Sequence, residues 1–123
     1  MKNPKLHLLF LITVLLLFFP SCKSVINISG TWTGAFIFDN GTTYTANYTF
    51  SGDENSGTLA IYVSAEAVNG TGTYTVNDPA VNLNVTWDTG VVFTATGTIV
   101  DENNMNGTFT MTNANNGSWT ATR

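Results

Sequence analysis

Beyond residue 27 the chain alternates apolar and polar side chains with a period of two, in short runs bounded by Gly, Asn, Asp and Ser. Successive strand residues point to opposite faces, so this pattern predicts strands with one buried and one wetted side. Eight are expected, over residues 28–38, 44–51, 57–68, 71–77, 80–87, 91–100, 104–112 and 117–123. The first places Ile28, Trp32, Phe36 and Phe38 on one face and Thr31, Thr33 and Ile37 on the other. The second sets Tyr44, Ala46, Tyr48 and Phe50 against Thr45, Asn47 and Thr49. The fifth sets Val81, Leu83, Val85 and Trp87 against Asn82, Asn84 and Thr86. No stretch of this part carries the period of an amphipathic helix.

Turn chemistry suggests registers. Asn69-Gly70 is a strong two-residue hairpin signal and would set Ala67 opposite Gly72 and Ala65 opposite Tyr74. Asp88-Thr89-Gly90, with glycine at a left-handed position, would set Trp87 opposite Val91 and Val85 opposite Phe93. A three-residue loop at 40–42 would pair Phe36 with Ala46 and Gly34 with Tyr48, so that large side chains meet small ones. A unit of Gly, Thr or Ser, an aromatic and Thr recurs from Gly30, Gly72, Gly107 and Gly117. Inward glycine lets a strand bend, or lets a large neighbour close over the backbone. Eight antiparallel strands meandering in chain order can close into an up-and-down barrel and so lose their edges. An all-β, eight-stranded barrel is therefore the expected fold, with a two-sheet sandwich as the alternative.

The first residues read differently. Lys2 and Lys5 precede an apolar run from Leu8 to Phe19, which ends in Pro20-Ser21-Cys22. That is the grammar of a secretory signal peptide, and the run is shorter than the roughly 20 residues a spanning helix needs. Phe19-Pro20-Ser21-Cys22 resembles the lipobox of bacterial lipoproteins, although Leu is usual at the Phe19 position and a small residue at Pro20. The resemblance implies a signal peptide over 1–21, lipid on Cys22, a short tether over 22–27 and a barrel domain over 28–123. Cys22 is the sole cysteine and has no partner for an internal disulfide. Lipidation would remove a thiol that is otherwise a liability in an oxidising compartment. The expected location is the bacterial cell envelope, anchored to the outer membrane, with the domain in the periplasm or at the cell surface.

Charge and residue usage narrow the chemistry. Residues 22–123 hold all eight acidic residues against Lys23 and Arg123 alone, a net charge of −6. Such a surface argues against nucleic acid and against electrostatic adhesion to anionic lipid. The sole histidine, His7, lies in the leader, so the remainder offers no imidazole for nucleophilic catalysis and no usual zinc ligands. Most of the carboxylates fall where turns are predicted, which is their common structural use, and none follows calcium-loop spacing. No enzymatic activity, metal or cofactor is expected.

Gly30-Thr31-Trp32 resembles the G-x-W motif of lipocalins and related calycin barrels. The resemblance implies that Trp32 packs at the closed end against a basic side chain from the last strand. The matching residue is Arg123, which follows Trp119-Thr120-Ala121-Thr122. The part after the leader is similar to small lipocalin-like lipoproteins of bacterial envelopes, but shorter than a typical lipocalin and without the helix that usually follows the barrel. A barrel of this strand number is just wide enough to be filled by side chains or to hold one small ligand. Candidate lining residues are Phe36, Phe38, Tyr44, Tyr48, Phe50, Tyr74, Trp87, Phe93 and Phe109. The short strands favour a mostly filled core with any ligand near the open mouth. The expected function is thus an envelope module that binds a small apolar ligand or serves a structural role. The alternative is an interaction or inhibitor module engaging a basic protein through acidic loops at 53–54 and 101–102. Small lipoprotein barrels that block lysozyme offer an architectural analogy for it.

Overall fold

The computed structural model describes residues 25–123; the expected signal peptide over 1–21 and Cys22 lie outside them. Eight strands follow in order: β1 (Gly30–Phe38), β2 (Thr43–Gly52), β3 (Ser56–Val63), β4 (Val68–Asn77), β5 (Ala80–Trp87), β6 (Val92–Asp101), β7 (Asn104–Met111) and β8 (Asn116–Thr122). Each pairs antiparallel with its neighbours in sequence, and β8 pairs with β1 to close a barrel. The fold is therefore all-β and up-and-down, and closure of the ring rules out the sandwich. No strand among the described residues is left with a free edge, and all pairing lies within Gly30–Thr122. The barrel is a self-contained unit in the sense that nothing outside it is needed to complete the sheet.

Of the three expected registers one holds. Val85 pairs with Phe93, and the Trp87 amide donates to the Val91 carbonyl at 2.9 Å around Gly90, whose φ is +90°. The first hairpin is shifted by two residues from expectation: Phe36 faces Tyr44, Gly34 faces Ala46 and Trp32 faces Tyr48. Its turn keeps three residues but sits one residue earlier, at 39–41, with the Phe38 amide donating to the Thr42 carbonyl, Gly41 at φ +91° and the Asn40 side chain accepting from the Thr42 amide. Large side chains thus meet large ones, and small meet small. The third correction is larger. Asn69-Gly70 is not a turn but lies within β4; the chain reverses at Ser64–Ala67, with Ala67 at φ +51°, and Val63 pairs with Val68. Gly72 consequently faces Leu59, and Tyr74 faces Gly57. Both shifts are even, so Gly34, Phe36, Ala46, Tyr48, Gly72 and Tyr74 keep their expected face, whereas Ala65 and Ala67 leave it for the exposed turn.

The reason Gly70 sits in a strand is visible in the packing. A methyl group there would come 2.8 Å from Cε3 of Trp87, whose ring covers the bare backbone. The same device recurs around the barrel. Tyr74 lies over Gly57 and Gly52, and its hydroxyl donates to the Asp53 carbonyl at 3.1 Å. Trp119 lies against Gly97, and its Nε1 donates to the Thr96 carbonyl at 3.2 Å. Tyr48 of β2 reaches across β1 to the Thr120 carbonyl of β8 at 3.1 Å. Burial pushes the Tyr48 phenol well above its ordinary pKa, which keeps it a neutral donor. Glycines thus provide grooves, and aromatic rings fill them while their polar tips find carbonyls. Phe36 occupies the middle, edge-to-face with Tyr48, Trp87, Phe93 and Phe109 at centroid distances of 5.2–6.0 Å. The interior is a packed aromatic core.

Candidate functional site

The two ends of the barrel differ. At one end the chain enters β1 and leaves β8. Ile28 is fully buried there, and its carbonyl accepts from Nε1 of Trp32 at 2.8 Å. The Arg123 guanidinium lies over the Trp32 ring, 4.5 Å from its centroid. It is held by hydrogen bonds from Nε to the Glu102 carbonyl at 2.7 Å and from Nη1 to the Ser29 carbonyl at 3.3 Å. An indole, an isoleucine and a guanidinium therefore plug this end, and the seam between chain entry and exit is stitched across it. The acidic loops at 53–54 and 101–102 also lie here. Asp53 accepts from the amides of Asn55 and Ser56, and Asp101 from the Asn103 amide and the Asn104 side chain. These bonds hold both carboxyls below their usual pKa and commit them to turn geometry.

The opposite end is open. Between the turns at 39–42, 64–67, 88–91 and 112–115 a cleft of about 160 Å³ enters the barrel. Phe36 and Trp87 form its floor, and Phe38, Tyr44, Val63, Val68, Val91 and Met111 form its walls. Glu66, Thr89 and Asn113 stand at the rim. Glu66 is the sole charged residue in this lining, and its carboxylate beside the Tyr44 hydroxyl raises the pKa of that phenol. Of the candidate lining residues, the structure brings Phe36, Phe38, Tyr44 and Trp87 to the cleft. It places Tyr48, Phe50, Tyr74, Phe93 and Phe109 below, each no more than 2 % exposed and packed on other rings. Val63, Glu66, Val68, Val91 and Met111 are cleft residues that the sequence reading missed. They sit where strands meet turns, and the misplaced Asn69-Gly70 turn had put Val63, Glu66 and Val68 inside a strand.

Trp87 breaks the rule the other indoles follow. It is 6 % exposed, yet its Nε1 has no hydrogen-bond partner among the described residues. Its aromatic neighbours are Phe36 and Phe93, both edge-to-face at 6.0 Å. A buried donor left without a carbonyl costs roughly 1–3 kcal/mol, and an aromatic face is only a weak acceptor. The floor of the cleft is therefore less well satisfied than the plugged end.

Fold and site together define a small closed β-barrel with one sealed end and one apolar, acid-rimmed mouth. No family model matches the chain, and no curated protein does. Among solved structures it is similar to a redesigned β-barrel, with 14% identity and a TM-score of 0.71 over 78% of this chain and 90% of that one. It is also similar to the redesigned β-barrel mFAP1 bound to DFHBI, with 17% identity and a TM-score of 0.70 over 78% and 94% of the two chains. A de novo designed fluorescence-activating β-barrel aligns with 17% identity and a TM-score of 0.66 over 78% and 93%. At these identities the likeness is one of fold.

Proposed function

We propose that the chain is a lipid-anchored protein of the bacterial envelope, not an enzyme, whose barrel holds a small apolar ligand at its open mouth. The observation that carries the ligand reading is the mouth cleft, which is apolar on floor and walls and sits on an otherwise filled core. A cavity of about 150 Å³ suffices for a benzene-sized ring, so the ligand places one ring or a short branched chain inside and leaves the rest at the rim. The complex of mFAP1 with DFHBI supports the reading to the extent that a barrel of this shape accommodates a small molecule. The tether enters at the plugged end, beside Ser29 and Arg123. Anchored through Cys22, the barrel would stand with that end toward the bilayer and its mouth away from it.

Both parts have direct tests. Expressed in a bacterial host with labelled palmitate, the full chain is expected to incorporate the label, whereas Cys22→Ser should not. Absence of label from the full chain, or equal labelling of the two, would remove the anchor. For the ligand, native mass spectrometry of residues 25–123 after incubation with an envelope extract should show an adduct of small-molecule mass. Val91→Trp, which fills the mouth, should lose it. A bare mass in both proteins would leave the cleft without a role.

A further inference from the structure

We infer that the mouth selects an organic cation: a ligand with an apolar body for the cleft and an ammonium group for the Glu66 rim. The inference rests on the ligand reading above and adds the sign of the charge. The cleft offers rings from Phe36, Phe38, Tyr44 and Trp87, and the Met111 thioether. Ring faces carry negative charge density, and several of them around one space attract an alkylated ammonium that hydrates weakly. Glu66 adds a full negative charge at the rim beside Tyr44. Asp39 and Asp88 lie in the neighbouring turns of the same end. No basic side chain stands against them among the described residues, because the single one present, Arg123, is at the plugged end over Trp32. An anionic ligand would meet Glu66 with nothing to neutralise it, whereas a neutral ligand would leave the carboxylate unused. A cation is the one class for which the apolar walls and the rim charge act together.

A pair of probes with the same shape isolates the charge. Phenyltrimethylammonium and tert-butylbenzene differ in replacing a quaternary nitrogen by carbon. Both are titrated into 15N-labelled residues 25–123, with the three indole N–H signals as reporters. Two of those groups are hydrogen-bonded to the Ile28 and Thr96 carbonyls, and Trp87 alone faces the cleft. At low ionic strength the cation should bind about tenfold more tightly, a difference worth about 1.4 kcal/mol, and should move the Trp87 signal. Glu66→Gln should cut the preference at least threefold, Glu66→Lys should reverse it, and added salt should weaken it in the wild-type protein. Glu66 lies exposed in a turn, so both variants retain the fold, which the remaining spectrum verifies. If both probes bind equally and Glu66→Gln changes nothing, charge selection is wrong and the apolar cleft stands. If neither probe binds, the cleft reading falls with it.

Discussion

Gly34→Ala is expected to strip the barrel of much of its stability at 25 °C, as read by urea titration with far-UV circular dichroism and tryptophan fluorescence. Gly34 sits mid-strand in β1, facing Ala46 of β2 on one side and Ala121 of β8 on the other. A methyl group there would overlap the Thr120 carbonyl oxygen, and would lie 2.6 Å from the Thr120 carbonyl carbon and 2.9 Å from Cα of Ala121. All three obstacles are backbone, so no side chain can turn aside. Relief requires β8 to move away from β1, at the seam that closes the ring. The same carbonyl also accepts the Tyr48 hydroxyl, so that bond goes with it. Overpacking into side chains costs about 1–3 kcal/mol; displacing a paired strand should exceed that and reach about 4 kcal/mol or more, at the upper end of single-residue effects. A domain of this size holds about 5–15 kcal/mol in all. Gly41→Ala is the control: nothing lies within 4 Å, and a φ of +91° leaves a backbone penalty of about 1–2 kcal/mol. A Gly34→Ala protein as stable as the control would mean that the seam is looser than its pairing indicates.

Trp32→Ala should be comparably severe, with a loss of about 3–5 kcal/mol in the same titration, the range for removing a buried large aromatic. Trp32 has no exposed surface, packs edge-to-face on Phe50 at 6.3 Å, bonds the Ile28 carbonyl and carries the Arg123 guanidinium. Arg123→Ala removes the last of these and two hydrogen bonds to carbonyls. It should cost about 1–2 kcal/mol, since a cation over an indole contributes about 0.5–2 kcal/mol. The double variant should lose less than the sum, because each partner's removal already ends the contact between them. Trp87→Phe provides the contrast. It breaks no hydrogen bond and removes an unsatisfied donor, so it should be the mildest of the three possible Trp→Phe replacements. An unchanged melting temperature in Arg123→Ala would count against the plug.

Alternation carried nearly all of the strand assignment because a buried face enforces it residue by residue. Ala80–Trp87 was readable to the residue, and the inward aromatics from Trp32 to Phe109 were legible as a set. Register was less so, since any even shift preserves faces and the turn must decide. At Asp88-Thr89-Gly90 the glycine does so by its positive φ. At Asn69-Gly70 a turn-like dipeptide serves a different need, a groove for the Trp87 ring, and local chemistry yields to packing across strands. The cleft was half legible for the same reason. Its aromatic floor belongs to strands, whereas Glu66 and Val68 reach it only because the chain reverses at Ser64–Ala67, a turn with no glycine or proline to announce it.

Every hydrogen-bonded neighbour in the ring except one is also a neighbour along the chain. The hairpins close over a few residues each, and such local contacts form early and fast. The β1–β8 seam joins positions as remote as Thr33 and Thr122, and it can zip only after the meander between them has curled. Until that step the outer sides of β1 and β8 stand open, and an open strand is a template for a second copy of the chain. The order of assembly thus concentrates the hazard of mispairing in one interval and on two strands. The same two strands hold Gly34, Trp32 and Trp119, so the residues that make the finished ring firm lie on the strands whose edges closure removes.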